Sequence, residues 1–168
     1  IRKEISHSMK LRDKLIEETI LIPMKATRKE DANQELLTHL QSVNILSETV
    51  HLFANIKERE NAFTSSVGRG IAYPHSTSVE LNELACVLGI SQKGIDYNSP
   101  DGQDCHLILL TLSPVNDPTE HRKFIARFRS MVQNPEIRSS LYESENRYDI
   151  LNIISLWEED DSQDNDLI

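Results

Sequence analysis

The side chains with most chemistry to offer in this chain are its six histidines. A neutral imidazole predominates near pH 7, because its reference pKa is about 6.5. Its lone pair can attack phosphorus, and the resulting N–P bond is reactive enough to pass the group on. His75 and His121 stand out by context. His75 follows Pro74 at the end of a short apolar run, Ile71 to Pro74, and precedes Ser76-Thr77-Ser78. A side chain there is held by a rigid strand end and still reachable from a loop. His121 falls in the first turn of a predicted helix, three residues before Phe124 and four before Ile125, on its inward side. Free backbone amides and the positive dipole end at a helix start favour a phosphate. Each also fits a plain role, His75 as a loop histidine and His121 as a packing one. His7, His39 and His51 read as surface or structural, and His106 as a satisfied histidine heading a buried strand.

Other chemistries are excluded by their missing patterns. GxxxxGK[ST] is absent, so there is no P-loop. Gly68-Arg69-Gly70 lacks the third glycine of a dinucleotide fingerprint, and neither HExxH nor CxxC is present. Ser65, Ser66 and Ser76 have no GxSxG elbow. These patterns leave no familiar metal or nucleotide-cofactor site to expect.

The elements that must carry these histidines alternate between helix and strand. Thr27 and Glu30 read as a capping box opening a helix with Ala32, Leu36, Leu37, Leu40 and Val43 on one face. Ser47 reads as the cap of a second helix, followed by a polar, glycine-bearing loop from Thr64 to Gly70. Leu84–Ser91 and His106–Leu112 are near-continuous apolar runs, predicting strands buried on both faces. Asp117-Pro118 and Asn134-Pro135 read as helix starts, the first leading to a face of Phe124, Ile125, Phe128, Met131 and Val132. A last helix is predicted from about Glu145 to Trp157, with Tyr148, Leu151 and Ile154 inward. Helices on both sides of a central strand region predict one α/β domain, a mixed β-sheet flanked by helices on both faces.

Composition sets the outer bounds. The chain has 168 residues, 38% hydrophobic and 27% charged, the profile of an ordinary globular domain. No apolar run reaches the roughly 18 residues of a membrane span, so this segment is expected not to insert. Cys86 and Cys105 lie inside apolar runs and read as packing residues, with the cytoplasm as the default setting. Two-thirds of the net charge of −9 resides in the last eleven residues, which hold Glu158, Glu159, Asp160, Asp161, Asp164 and Asp166 and no base. Residues 158–168 are therefore expected to be a disordered acidic tail. No basic stripe with interleaved aromatics marks a nucleic-acid partner.

The segment RENAFTSSVGRGIAYPH, Arg59 to His75, resembles the IIA component of the bacterial phosphotransferase system, fructose–mannitol class with its nitrogen-regulatory members. The family pattern is met by Glu60, Val67, Gly68, Ile71, Ala72, Pro74 and His75. Tyr73 stands where the family has an aliphatic residue and Ser76 where it has a small non-polar one; neither departure removes a reacting group. The resemblance continues in Met9 to Ala32, in GIDYNSPDGQDCHLILLTLSP, in EHRKF (Glu120 to Phe124) and in YDILNIISLW, covering residues 9–157. It implies that His75 carries the phosphoryl group, with His121 and Arg59 in support and Ser65 and Arg69 as further phosphate-binding candidates. It implies an HPr-like phosphocarrier as donor and a IIB component, or a regulated transporter or kinase, as partner. Residues 1–8 precede the family's usual opening and read as an upstream linker or extension. Their basic character leaves an alternative open: a cytosolic IIA-like regulatory domain fused to a membrane transporter such as a cation/proton antiporter.

Overall fold

A computed structural model describes residues 9–166. Among these, five α-helices and six strands form one α/β unit, as expected from the alternation in the sequence. The centre is the antiparallel pair β5 (Ala85–Ile95) and β6 (Cys105–Pro114), in register from Ala85↔Leu112 to Ile90↔Leu107. β1 (Ile20–Leu21) adds parallel to β5; β3 (Ile71–Ala72) and β4 (His75–Ser78) both add parallel to β6; β2 (Ser66–Gly68) closes the edge antiparallel to β3. The sheet is mixed, as expected.

Period-two alternation along the central pair feeds two cores. Cys86, Leu88, Ile90, Leu107 and Leu109 face α3 (Thr119–Val132), α4 (Pro135–Glu143) and α5 (Arg147–Asp166), meeting Phe124, Phe128, Met131, Leu141 and Ile154. Val87, Ile108, Leu110 and Leu112 face α1 (Lys29–Ser42) and α2 (Val50–Ala62), meeting Leu36, Leu37, Leu40, Leu52 and Ile56. Tyr97 is buried in this second core, and its hydroxyl donates to Asn33 Oδ1 at 2.8 Å. Each face of β5 and β6 is thus covered, which is why their sequences read as unbroken apolar runs. Both cysteines are buried within these layers, and burial pushes the thiols up to about 12 for Cys86 and about 11 for Cys105.

Local signals held where the donors they serve are local. Asn134 Oδ1 accepts from Glu136 N at 2.9 Å with Pro135 in the first turn; Asp117 Oδ1 accepts from Thr119 N at 2.9 Å, although Pro118 rather than Asp117 is the N-cap of α3 (Thr119–Val132). They failed where tertiary contacts intervene. Arg28, not Thr27, is the N-cap of α1, because a bridge between Arg28 and Asp96 keeps the chain extended to that point. Thr49, not Ser47, precedes α2; Ser47 instead donates its N–H and hydroxyl to Glu80. Tyr148, expected inward, is exposed, and Ile150, Leu151 and Ile154 form the buried side of α5.

The acidic tail also departs from expectation. The last helix does not stop near Trp157 but runs to Asp166, and Glu158 is buried. Its carboxylate accepts from the N–H groups of Leu11 and Arg12 and from Arg127 Nε, each at 2.9 Å. Arg127 Nη1 also reaches Asp161 at 3.0 Å. The start of the domain therefore recruits the first acid of the tail as an anchor. Residues 1–8, expected as a linker or extension, lie outside the described residues. No helix among the described residues is long and apolar enough to cross a membrane.

Candidate functional site

The site forms where β4 begins beside β6. Pro74 separates β3 from β4, so His75 opens a strand rather than ending one. Thr111 N donates to Pro74 O at 3.1 Å, and His75 pairs in register with Thr111. Register partners on parallel strands present side chains on the same face, so His75 and Thr111 share the α3 side. Ser76 turns to the opposite side, where its hydroxyl donates to Asn55 Oδ1 of α2 at 2.8 Å. His75 itself is exposed.

His121 comes to this spot from α3. The two imidazole centroids are 5.6 Å apart, with planes inclined by 30°. His121 Nε2 lies 2.9 Å from the hydroxyl of Thr111. Half-burial, and secondarily the nearby His75, hold the His121 pKa below the ordinary histidine value. His121 is therefore neutral near pH 7. Glu120, beside it, accepts from Leu84 N at 2.7 Å and pairs with Lys14 at 3.5 Å, fixing the start of α3 against β5.

On the other side of His75 a cavity of about 310 Å³ opens, lined by Arg59, Glu60, Phe63, Thr64, Ser65 and Pro74 among others. Arg59 and Ser65 thus join His75 at one cavity, and His121 touches His75 from the α3 side. Arg59 is exposed on the last turn of α2. Its planar fork of donors suits the oxygens of a phosphoryl group. Ser65 has a more specific posture. Its hydroxyl and N–H both donate to the buried Glu60 carboxylate. With its hydroxyl directed to Glu60, Ser65 shapes the cavity wall.

Arg69 sits elsewhere. It occupies the β2–β3 turn at φ 57°, its N–H donating to Asp101 at 2.8 Å and its carbonyl accepting from Tyr142 at 2.5 Å. It does not line the His75 cavity. The two departures from the family pattern are also absorbed away from the cavity. Tyr73 is buried against Phe128, ring centroids 5.9 Å apart, with the Arg129 guanidinium 5.3 Å over its face. Ser76 lines a neighbouring cleft on the α2 side. Of the remaining histidines, His7 lies outside the described residues; His39 meets Glu18 O at 2.7 Å, His106 meets Ser91 O at 2.7 Å, and His51 lies at the surface beside Glu48.

Sequence reasoning missed Thr111, Phe63 and the work of Glu60. Thr111 had a signal: one hydroxyl in the apolar run HLILLTL needs a buried partner. Phe63 is 86% exposed at the rim of the cavity. Among the described residues no group of three or more His, Cys, Asp or Glu is arranged to hold a metal.

Comparison with known proteins shows the family and the fold. The chain is 29% identical over 147 residues to the fructose-specific EIIABC component of the phosphotransferase system of Bacillus subtilis, matching 88% of this chain and 23% of that protein. It is 28% identical over 148 residues to the nitrogen regulatory protein of Bradyrhizobium diazoefficiens, matching 88% of this chain and 96% of that one. The chain thus spans about a quarter of the first relative's length and nearly all of the second's. Its fold is shared with the nitrogen regulatory protein IIA-Ntr of Neisseria meningitidis (TM-score 0.76, 21% identity, 84% of this chain and 97% of that one). It is shared too with IIA mannitol of Escherichia coli (TM-score 0.71, 21% identity, 84% and 99%). The family described as phosphoenolpyruvate-dependent sugar phosphotransferase system, EIIA 2, matches residues 14–156, and the chain belongs to that family.

Proposed function

We propose that this chain is a phosphohistidine carrier: His75 accepts a phosphoryl group from the phosphohistidine of an HPr-type protein and hands it to a IIB partner. The observation that carries the reading is the state of the His75 ring. It is exposed at a cavity that also holds Arg59, and its Nδ1 lies 3.3 Å from Tyr73 O. A carbonyl only accepts, so this contact selects the tautomer with the proton on Nδ1. Nε2 then keeps its lone pair and is the nucleophile.

In the first step Nε2 of His75 forms a bond to phosphorus while the donor's N–P bond breaks, its electron pair returning to the donor ring. In the second, a nucleophile of the acceptor attacks phosphorus and Nε2 recovers its pair. The Nδ1 proton stays in place through both. Such transfer is mainly positioning and neutralisation of the equatorial oxygens. Arg59 supplies charge, and the neutral His121 supplies a donor without repelling an imidazole that becomes electron-poor. Relatives named for fructose transport and for nitrogen regulation match at similar identity, 29% and 28%, and the step proposed is the one both roles can share.

The test is incubation with phosphorylated HPr followed by intact-mass measurement. Wild type is expected to gain one acid-labile phosphoryl group and His75→Ala none. Label on His75→Ala, or none on wild type, overturns the assignment.

A further inference from the structure

Thr111 is fully buried on β6, and the one side-chain hydrogen bond it makes among the described residues is with His121 Nε2, at 2.9 Å. A hydroxyl brings one proton and two lone pairs. If Nε2–H donated to it, the Thr111 proton would be left buried without an acceptor, which is a costly arrangement. If Thr111 donates, the proton is used, and Nε2 must be the nitrogen carrying the lone pair. Neutral His121 then has its proton on Nδ1, the ring nitrogen without a protein partner among the described residues.

We propose that Thr111 sets the tautomer of His121, making its Nδ1–H the donor offered to the group on His75; the role in transfer rests on the carrier reading above. Thr111 is then a positioning residue acting at two levels. Its backbone N–H fixes Pro74 O and hence the strand start that bears His75, and its hydroxyl orients the second imidazole, 5.6 Å away. The low pKa of His121 is consistent with this, because a protonated ring would have no lone pair for Thr111 to meet.

Long-range proton–nitrogen spectra of the histidine rings in the 15N-labelled protein, above pH 7, test the proposal. Wild type and Thr111→Ser are expected to show His121 protonated at Nδ1. Thr111→Val keeps the shape and the backbone bond but deletes the donor; it is expected to move the proton towards Nε2. It is also expected to slow phosphoryl gain from phosphorylated HPr roughly tenfold, the scale of one lost hydrogen bond, with Thr111→Ser within about twofold of wild type. A wild-type His121 protonated at Nε2 overturns the proposal, even should the valine variant not fold. A valine variant with an altered tautomer and unchanged transfer overturns the role in transfer. Absence of label on wild type with the Nδ1–H signature intact would sink the carrier reading and leave the tautomer assignment standing.

Discussion

Glu60 and Glu158 are buried to the same degree, each 6% exposed, yet their surroundings differ. Glu158 is met by two backbone N–H groups and the Arg127 guanidinium. Glu60 is met by the N–H and hydroxyl of one serine and by no cation in ion-pair range among the described residues. The first carboxylate is neutralised and closes the domain, stapling its start to its last helix. The second lies beneath the wall of an open cavity, held there by Ser65. Burial alone therefore says little about what a carboxylate is for; the partners decide. A paired carboxylate holds the fold, and a half-paired one beside a cavity holds a loop in a shape.

Four outcomes would sharpen or break this contrast. Glu158→Ala leaves Arg127 Nε and two N–H groups without their acceptor, with Asp161 still on Arg127 Nη1, and is expected to cost about 3 kcal/mol in urea unfolding, with the folded fraction still labelled by phosphorylated HPr. Arg59→Ala is expected to slow labelling roughly 30-fold, about 2 kcal/mol of lost charge stabilisation, while the urea midpoint stays put, since Arg59 is exposed. Glu60→Gln keeps one acceptor oxygen for Ser65 and is expected to cost about 1 kcal/mol; a loss as large as that of Glu158→Ala would erase the distinction drawn here. The smallest effect concerns pH. His121 has a folded pKa below its ordinary value of 6.5, so the unfolded chain takes up its proton first as pH falls. Its contribution to stability is complete above about pH 6.5 and is lost as pH drops through the folded pKa. Unfolding curves between pH 7.5 and about 5.5 should show this decline in wild type and less of it in His121→Gln; identical slopes would mean that His121 is not held neutral.

Much of this molecule is legible in its sequence, and the illegible parts share a cause. The face of α1 (Ala32, Leu36, Leu37, Leu40) and that of α3 (Phe124, Phe128, Met131, Val132) follow from helical spacing, because each is a local pattern meeting one core. The two double-sided strands follow from their apolar runs. The caps at Thr27 and Ser47 fail because Asp96 and Glu80, far along the chain, claim the neighbourhood first. The tail fails for the same reason at greater range: Glu158 answers to Leu11 and Arg12, 147 and 146 residues away, and no window of sequence contains both. At the candidate site, the resemblance implies His75, Arg59, Ser65 and His121, but what each of them touches could not be read from it. That Ser65 directs its hydroxyl to Glu60, and that Thr111 meets His121 across the strand register, are facts of three-dimensional neighbourhood.

The two cysteines carry a practical consequence. With both sulfurs sealed in the interior and their ionisation displaced to about 12 and about 11, the thiolate form is scarce at any working pH. Maleimide reagents should pass the native protein by. A single cysteine introduced at the rim, for instance in place of Phe63, would then be the one site to take a fluorophore, and association with a partner could be followed by its emission without first stripping the natural thiols.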